Sequence, residues 1–280
     1  MQPAQSCPLS KLDKLLLATD RSEFSEGAVR EAINFAKQCF SRLYVMSILE
    51  TNPQYETIGA DAYQKEEAEA MKYLESVRTR AVQEGLPSCE AVLHYGLEPY
   101  QIIVDEASEK KVDMIVIGRR GRSGLMKVLM GQVAAKVIGH ASCKVLVVPR
   151  AARIEYRNIL VATDGSDHSL AAASEAIGIA KRCGSHIIVL STAYSEAELE
   201  EAKALVNRVA EMARNEGITA EAITPVGRSH NIIIETAGGR GVDLIVMGTY
   251  GKTGIKKLLM GSSTEKVIER AGCAVLVARA

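Results

Sequence analysis

The chain has 280 residues, 47% of them hydrophobic, with 34 basic residues balanced by 34 acidic ones. A neutral chain without a sustained Lys/Arg run lacks the electrostatic footprint of nucleic-acid or anionic-membrane binding, so neither is expected as a partner. No apolar run approaches the roughly 20 residues that span a bilayer, and Met1 to Lys11 has neither a basic nor an apolar leader region, so the expectation is a cytoplasmic protein.

In chain order, short β-branched runs alternate with longer amphipathic stretches, the pattern of a parallel sheet covered by helices. The predicted strands of the first half are Lys14–Thr19, Arg42–Leu49, Cys89–Tyr95, Asp113–Ile117 and Lys144–Val148. A helical stretch, Glu66–Glu84, stops before Gly85, the residue type expected just past a helix. A short linker, Pro149 to Tyr156, leads to Asn158–Thr163, His186–Ser191, Thr219–Pro225, Asp243–Met247 and Ala274–Val277. Between them, Ser195–Glu216 is a second helical stretch ending before Gly217. Strands such as Met114-Ile-Val-Ile and Leu244-Ile-Val-Met are apolar on both faces, as a sheet buried beneath helices on both sides requires.

The second half repeats the first. Lys14-Leu-Leu-Leu-Ala-Thr-Asp20 answers Asn158-Ile-Leu-Val-Ala-Thr-Asp164, and Cys143-Lys-Val-Leu-Val-Val148 answers Cys273-Ala-Val-Leu-Val-Ala278. A unit this long is a domain, because solenoid repeats run roughly 20–50 residues. Two tandem α/β domains are expected, 1–150 and 151–280, each with five strands and four intervening helices. The span from Asp20 to Gly118 exceeds that from Asp164 to Gly248 by 14 residues, which places an insertion at Thr51 to Glu67. That insertion, with Pro53, Tyr55, Gly59 and Tyr63, reads either as a long helix-entry loop or as a lid or partner surface.

The six cysteines form no Cys-x-x-Cys pair, and Cys39/Cys183 and Cys143/Cys273 are equivalent positions, so duplicated buried thiols are expected in place of disulfides. The five histidines are scattered without metal-ligand spacing.

The chemistry-bearing motif is a glycine-spaced loop. Gly248-x-x-Gly251 is followed after nine residues by Gly261, Ser262, Ser263 and Thr264. Glycines leading into a helix let backbone N–H groups approach an anion, and the helix N-terminus adds partial positive charge. The same Ser262-x-x-Glu265 also reads as a capping box that stabilises the helix with no ligand present. Gly251-Lys252-Thr253 is no P-loop, because Val246 stands where the first glycine belongs, and Gly239-Arg-Gly241 lacks the third glycine of a dinucleotide fingerprint at Leu244. Asp20 and Asp164 close apolar strands, where a carboxylate can orient a ribose, hold magnesium bound to phosphates, or form an Asx turn.

Together, the strand ending Ala-Thr-Asp, the Gly-x-x-Gly-(nine)-Gly-Ser loop and the closing Cys-x-Val-Leu-Val strand resemble the universal stress protein family, in both halves. The resemblance implies open five-stranded parallel sheets of order 3-2-1-4-5 with helices on both faces, and adenine-nucleotide binding (ATP, or ADP or AMP, with Mg²⁺) where the loop is kept. Carried onto the second half, it puts Ala162, Thr163 and Asp164 beside the nucleoside, Thr192 near the adenine, and Met247, Gly248 and Gly251 along the crevice. Gly261, Ser262, Ser263 and Thr264 would receive the phosphates, with Asp164 a magnesium contact through the nucleotide.

A weaker second site would use Ala18, Thr19, Asp20, Ile48, Ile117, Gly118, Gly121, Gly131, Gln132 and Val133. There Gln132, Val133 and Ala134 replace the hydroxyl-bearing run, while Arg119, Arg120 and Arg122 read either as compensating charge or as a solvated loop. The resemblance also implies pairing through the fifth strands, here within one chain, and a homodimer of four domains.

Three functions fit these residues: a stress-response protein in which ATP occupancy signals through conformation or assembly to a downstream protein, a slow Mg-dependent ATP hydrolase or phosphotransferase, or a structural partner that ignores nucleotide. No histidine or glutamate is placed as a base for the second, so no catalytic residue is assigned.

Overall fold

Ten strands form one sheet in this computed structural model, which describes residues 7–10, 12–51, 60–121, 130–251 and 260–280. In the first half β1 (Lys14–Ala18), β2 (Arg42–Glu50), β3 (Cys89–Gly96), β4 (Met114–Gly118) and β5 (Lys144–Val148) alternate with α1 (Glu26–Cys39), α2 (Ala60–Gln83), α3 (Pro99–Lys110) and α4 (Gln132–His140). The second half repeats this with β6 (Asn158–Ala162), β7 (His186–Leu190), β8 (Ala220–Ile223), β9 (Leu244–Gly248) and β10 (Ala274–Ala278). Its helices are α5 (Asp167–Cys183), α6 (Glu196–Asn215), α7 (Ser229–Gly239) and α8 (Ser262–Arg270).

Strand order is β3-β2-β1-β4-β5-β10-β9-β6-β7-β8, so each half has the 3-2-1-4-5 order implied by the resemblance. Within a half every pairing is parallel. At the centre β5 and β10 pair antiparallel, Leu146 opposite Leu276. The expected internal pairing of the fifth strands thus fuses two sheets into one, and each half's apolar edge is covered by the other.

Alternation along the strands sorts the core into two layers. Leu15 and Leu17 face α1, α2, α5 and α6, whereas Leu16 and Ala18 face α3, α4, α7 and α8, and each layer runs through both halves. The linker joins the first layer: Ala152, Ile154 and Tyr156 are buried there, and Tyr156 packs edge-on against Phe35 of α1 at 5.9 Å. It crosses α1 at Gly27, where a Cβ would lie 2.4 Å from the Pro149 carbonyl oxygen. Duplicated acids serve this junction differently. Glu31 lies buried beside Arg30 and the Ile154 backbone, while its counterpart Glu175 pairs with Lys144 of the first half at 2.8 Å.

Two expectations are corrected. Cys39 is not a buried free thiol; it forms a disulfide with Cys7, tying the N-terminal segment to the end of α1, while its counterpart Cys183 stays free. Spacing between Cys residues gave no hint, because Cys7 precedes the repeat and has no counterpart. The insertion is also not wholly a loop: Ala60 to Glu67 form the first turns of α2, six residues ahead of the predicted start, and Tyr63 and Glu67 reach Tyr95 near the end of β3. Pro53, Tyr55 and Gly59 lie outside the described residues.

Candidate functional site

The β6 strand lies between β7 and β9, at the point where the chain order reverses, so the loops after β6 and β9 open onto one crevice. A cavity of about 600 Å³ fills that crevice. All eleven residues singled out in the second half line it: Ala162, Thr163, Asp164, Thr192, Met247, Gly248, Gly251, Gly261, Ser262, Ser263 and Thr264. They come from four separate segments, and only the sheet topology brings them together.

The cavity has two chemically distinct ends. Ala162, Leu190, Ile233 and Met247 give an apolar wall, beside which the Thr192 and Ser229 hydroxyls bond at 2.6 Å and the Tyr194 phenol meets Ser229 at 3.3 Å. The other end is the start of α8. Gly261 is its N-cap, and because the Glu265 N–H is the first to bond back, to the Gly261 carbonyl, the N–H groups of Ser262, Ser263 and Thr264 have no intrahelical acceptor. The capping box is not formed: Ser262 sits one residue inside the helix, and the cap makes no side-chain bond. Ser262 is exposed and Ser263 half-buried at the mouth of this cradle.

Not every hydroxyl in the motif is free for a ligand. Thr264 is buried and donates to the Gly248 carbonyl at 3.0 Å, and Thr163 is buried against the Ser169 hydroxyl at 3.1 Å. Asp164 makes the Asx turn: its Oδ1 accepts from the Ser166 N–H at 3.1 Å and the Ser166 hydroxyl at 2.7 Å. Its Oδ2 faces Gly251, where a Cβ would come within 2.3 Å, so that glycine is needed for close approach. His230, next to Ser229, is held below the usual histidine pKa by partial burial and by the cations Lys266, Arg270 and Arg228, so it is neutral at pH 7.

The corresponding corner of the first half is built differently. Asp20 makes the same Asx turn with Ser22, and Ala18, Thr19, Ile117 and Gly118 are buried at the strand ends; of their counterparts Thr163, Met247 and Gly248 are buried too, while Ala162 is half-buried. Gly165, however, is replaced by Arg21, which has φ 68° and reaches Glu66 of α2 at 3.2 Å with little exposure. Tyr73, at the α2 position answering Leu205, brings its hydroxyl to 3.5 Å from that of Thr19. Ile48 and Pro99 replace the hydroxyl pair Thr192 and Ser229. Gly121 faces Asp20 as Gly251 faces Asp164, and Gly131 caps α4, but Gln132 and Val133 open the helix without hydroxyls. Neither reading of Arg119, compensating charge or solvated loop, describes its part-buried guanidinium, which crosses to the second half and donates to the Ala271 carbonyl at 2.6 Å. Arg122 lies outside the described residues.

Tertiary structure adds Ser169, Tyr194, Glu198, Leu205 and Ser229 to the cavity. Ser169 and Glu198 recur as Ser25 and Glu66, but Tyr194 and Ser229 are replaced in the first half, so the repeat could not flag them.

The universal stress protein family matches residues 11–149 and again 155–279. The chain belongs to the universal stress protein family. Each half is similar in length to whole relatives: a universal stress protein of Methanocaldococcus jannaschii is 36% identical over 140 residues, covering 44% of this chain and 82% of that one. Another, from Synechocystis, is 32% identical over 150 residues, covering 48% of this chain and 96% of that protein. The tandem fold itself has a counterpart. The crystal structure of a universal stress protein from Archaeoglobus fulgidus superposes with a TM-score of 0.79 at 22% identity, covering 95% of this chain and 96% of that one. At that identity the likeness speaks to the fold. Among the described residues of the two universal stress protein domains, no helix is long and apolar enough to cross a membrane.

Proposed function

We propose that the chain binds one adenine nucleotide, in the second-half cavity, and that occupancy acts as a conformational or assembly signal. The observation that carries this reading is the polarity of the cavity: an apolar, hydroxyl-edged end suited to a base, and a helix start whose first three N–H groups have no intrahelical acceptor, suited to phosphate. Mg²⁺ arrives with the nucleotide. The described residues hold no cluster of three metal-ligating side chains, and one Asp164 oxygen is engaged in its turn, so the phosphates supply most of the ion's ligands.

The first half binds nucleotide weakly or not at all, because Arg21, Tyr73 and Ile48 occupy or replace what forms the second-half cavity. The whole chain is a cytoplasmic protein that pairs into a four-domain homodimer; because β5 and β10 are already joined, such a dimer uses another surface.

Mass spectrometry of nucleotide released from undialysed protein, with calorimetric titration of ATP and Mg²⁺, tests this. One ATP per chain is expected, lost in Gly261→Val. At Gly261 φ is an ordinary −66° and a Cβ would meet the Thr249 carbonyl oxygen at 3.3 Å, so valine crowds the cradle without forcing the backbone. Two ATP per chain would overturn the asymmetry, and none would favour a nucleotide-independent interaction protein. Metal-dependent turnover abolished by Asp164→Ala would establish an ATPase instead.

A further inference from the structure

The two phosphate-cradle helices are tied to each other's domains by arginines. From the first half, Arg119 follows the end of β4 and donates to the carbonyl of Ala271, the residue that ends α8. From the second half, Arg279 follows β10 and donates to the carbonyls of Ile138, at 2.5 Å, and Gly139, at 2.7 Å, in the last turn of α4. The pairing is reciprocal but not a product of the repeat, since Arg119 answers Thr249 and Arg279 answers Pro149.

Both guanidinium groups are partly buried, and desolvation pulls both below the usual arginine value. No carboxylate pairs with Arg119 among the described residues, and its buried Nε has no hydrogen-bond partner. Its main electrostatic complement is therefore the negative end of α8, where the last carbonyls of a helix carry roughly half a unit of negative charge. At nine residues α8 is about 13 Å long, so its capped end and its cradle belong to one short rigid rod.

We propose that Arg119 of the first half is a positioning residue for the second-half phosphate cradle: by holding and charging the far end of α8, it fixes the Ser262–Thr264 N–H groups where they meet the nucleotide phosphates. The inference rests on the nucleotide reading of the cavity. It gives the first half a part in the second half's site even though the first half has lost the features of its own. Arg279 does the same for α4, a helix whose own cradle lacks hydroxyls, and so serves as a matched control at the same interface.

The test compares ATP/Mg²⁺ and adenosine affinity by calorimetry for the full-length wild type, Arg119→Gln, Arg119→Lys and Arg279→Gln. Loss of a helix-end cation predicts ATP binding weakened roughly two- to fivefold in Arg119→Gln, with adenosine, which has no phosphate, unchanged. Arg119→Lys keeps the charge but not the planar donor and shifts the ratio of ATP to adenosine affinity in the same direction by less. Arg279→Gln leaves the ratio as in the wild type. An unchanged ratio in Arg119→Gln, or an equal shift in Arg279→Gln, overturns the proposal. Should Arg119→Gln fail to fold, the ratio in Arg119→Lys decides: lowered supports it, unchanged overturns it. Wild type that binds neither ligand removes the nucleotide reading itself, and this inference with it.

Discussion

Gly248 closes β9 so near α5 that a Cβ there would lie 2.8 Å from the backbone carbon of His168 and 2.9 Å from the nitrogen of Ser169. Backbone cannot rotate away as a side chain can, so Gly248→Ala is expected to cost about 1–3 kcal/mol of stability, read as a lower urea midpoint. Phe40 is the opposite case. It caps α1 with φ 54° and is 84% exposed, where the second half uses Gly184 at φ 70°. Phe40→Gly should raise stability by about 0.5–1 kcal/mol, since relief of the left-handed strain exceeds the entropy gained by the unfolded chain. A fall in the urea midpoint would show that Phe40 makes contacts worth more than its strain. At this scale the sequence revealed which residues are chemical candidates but not which atoms are spoken for. Thr163 and Thr264 read as ligand hydroxyls, and both are engaged by neighbours distant in sequence or on the next turn.

The helices and strands were largely legible because their signals are local. Gly85 and Gly217 stop α2 and α6 near the predicted points, and β9 lies within the predicted Asp243–Met247 to one residue. The early start of α2 was not legible, because its first turns are held by pairing with Arg21 and Tyr95 and not by an apolar stripe of their own. The Cys7–Cys39 bridge closes a loop containing β1 and α1 with a sequence separation of 32. Its reduction, or Cys7→Ser, should lower unfolding stability by about 3–4 kcal/mol through the entropy returned to the unfolded chain. Urea unfolding with and without reductant checks this. Cys183→Ser is the control, since that thiol is free, has its pKa pushed up to about 11 by burial, and should leave the reductant effect intact.

At the scale of the whole molecule, the junction between halves is where pH should act. Burial raises the Glu31 pKa above its ordinary carboxylate value, more than Arg30, Asn34 and the Ile154 backbone lower it. A raised carboxylate pKa means that the folded state holds the proton more tightly than the unfolded chain does. The associated stability is fully present below the unfolded pKa near 4.5 and is lost as pH rises through the folded value. Comparing chemical denaturation across that acid-to-neutral window, Glu31→Gln should show a shallower decline than the wild type. An identical pH profile for both proteins would assign no role to Glu31. The single sheet spanning both halves also predicts one cooperative unfolding transition, because separating the halves exposes β5 and β10 together.

Repetition, strand periodicity and the glycine spacing were enough to establish two α/β domains, their family and the residues of one candidate site, because each of these signals lies within short stretches of chain. Tertiary structure decided what depends on meetings between distant segments. It joined the fifth strands antiparallel, set Arg21 against Glu66 where the second half has an open cavity, added Tyr194 and Ser229 to that cavity, and turned Arg119 away from its own half toward α8. The physical reason is that side-chain direction across a domain boundary is set by packing and desolvation of both partners at once, and neither half of the sequence carries that information alone.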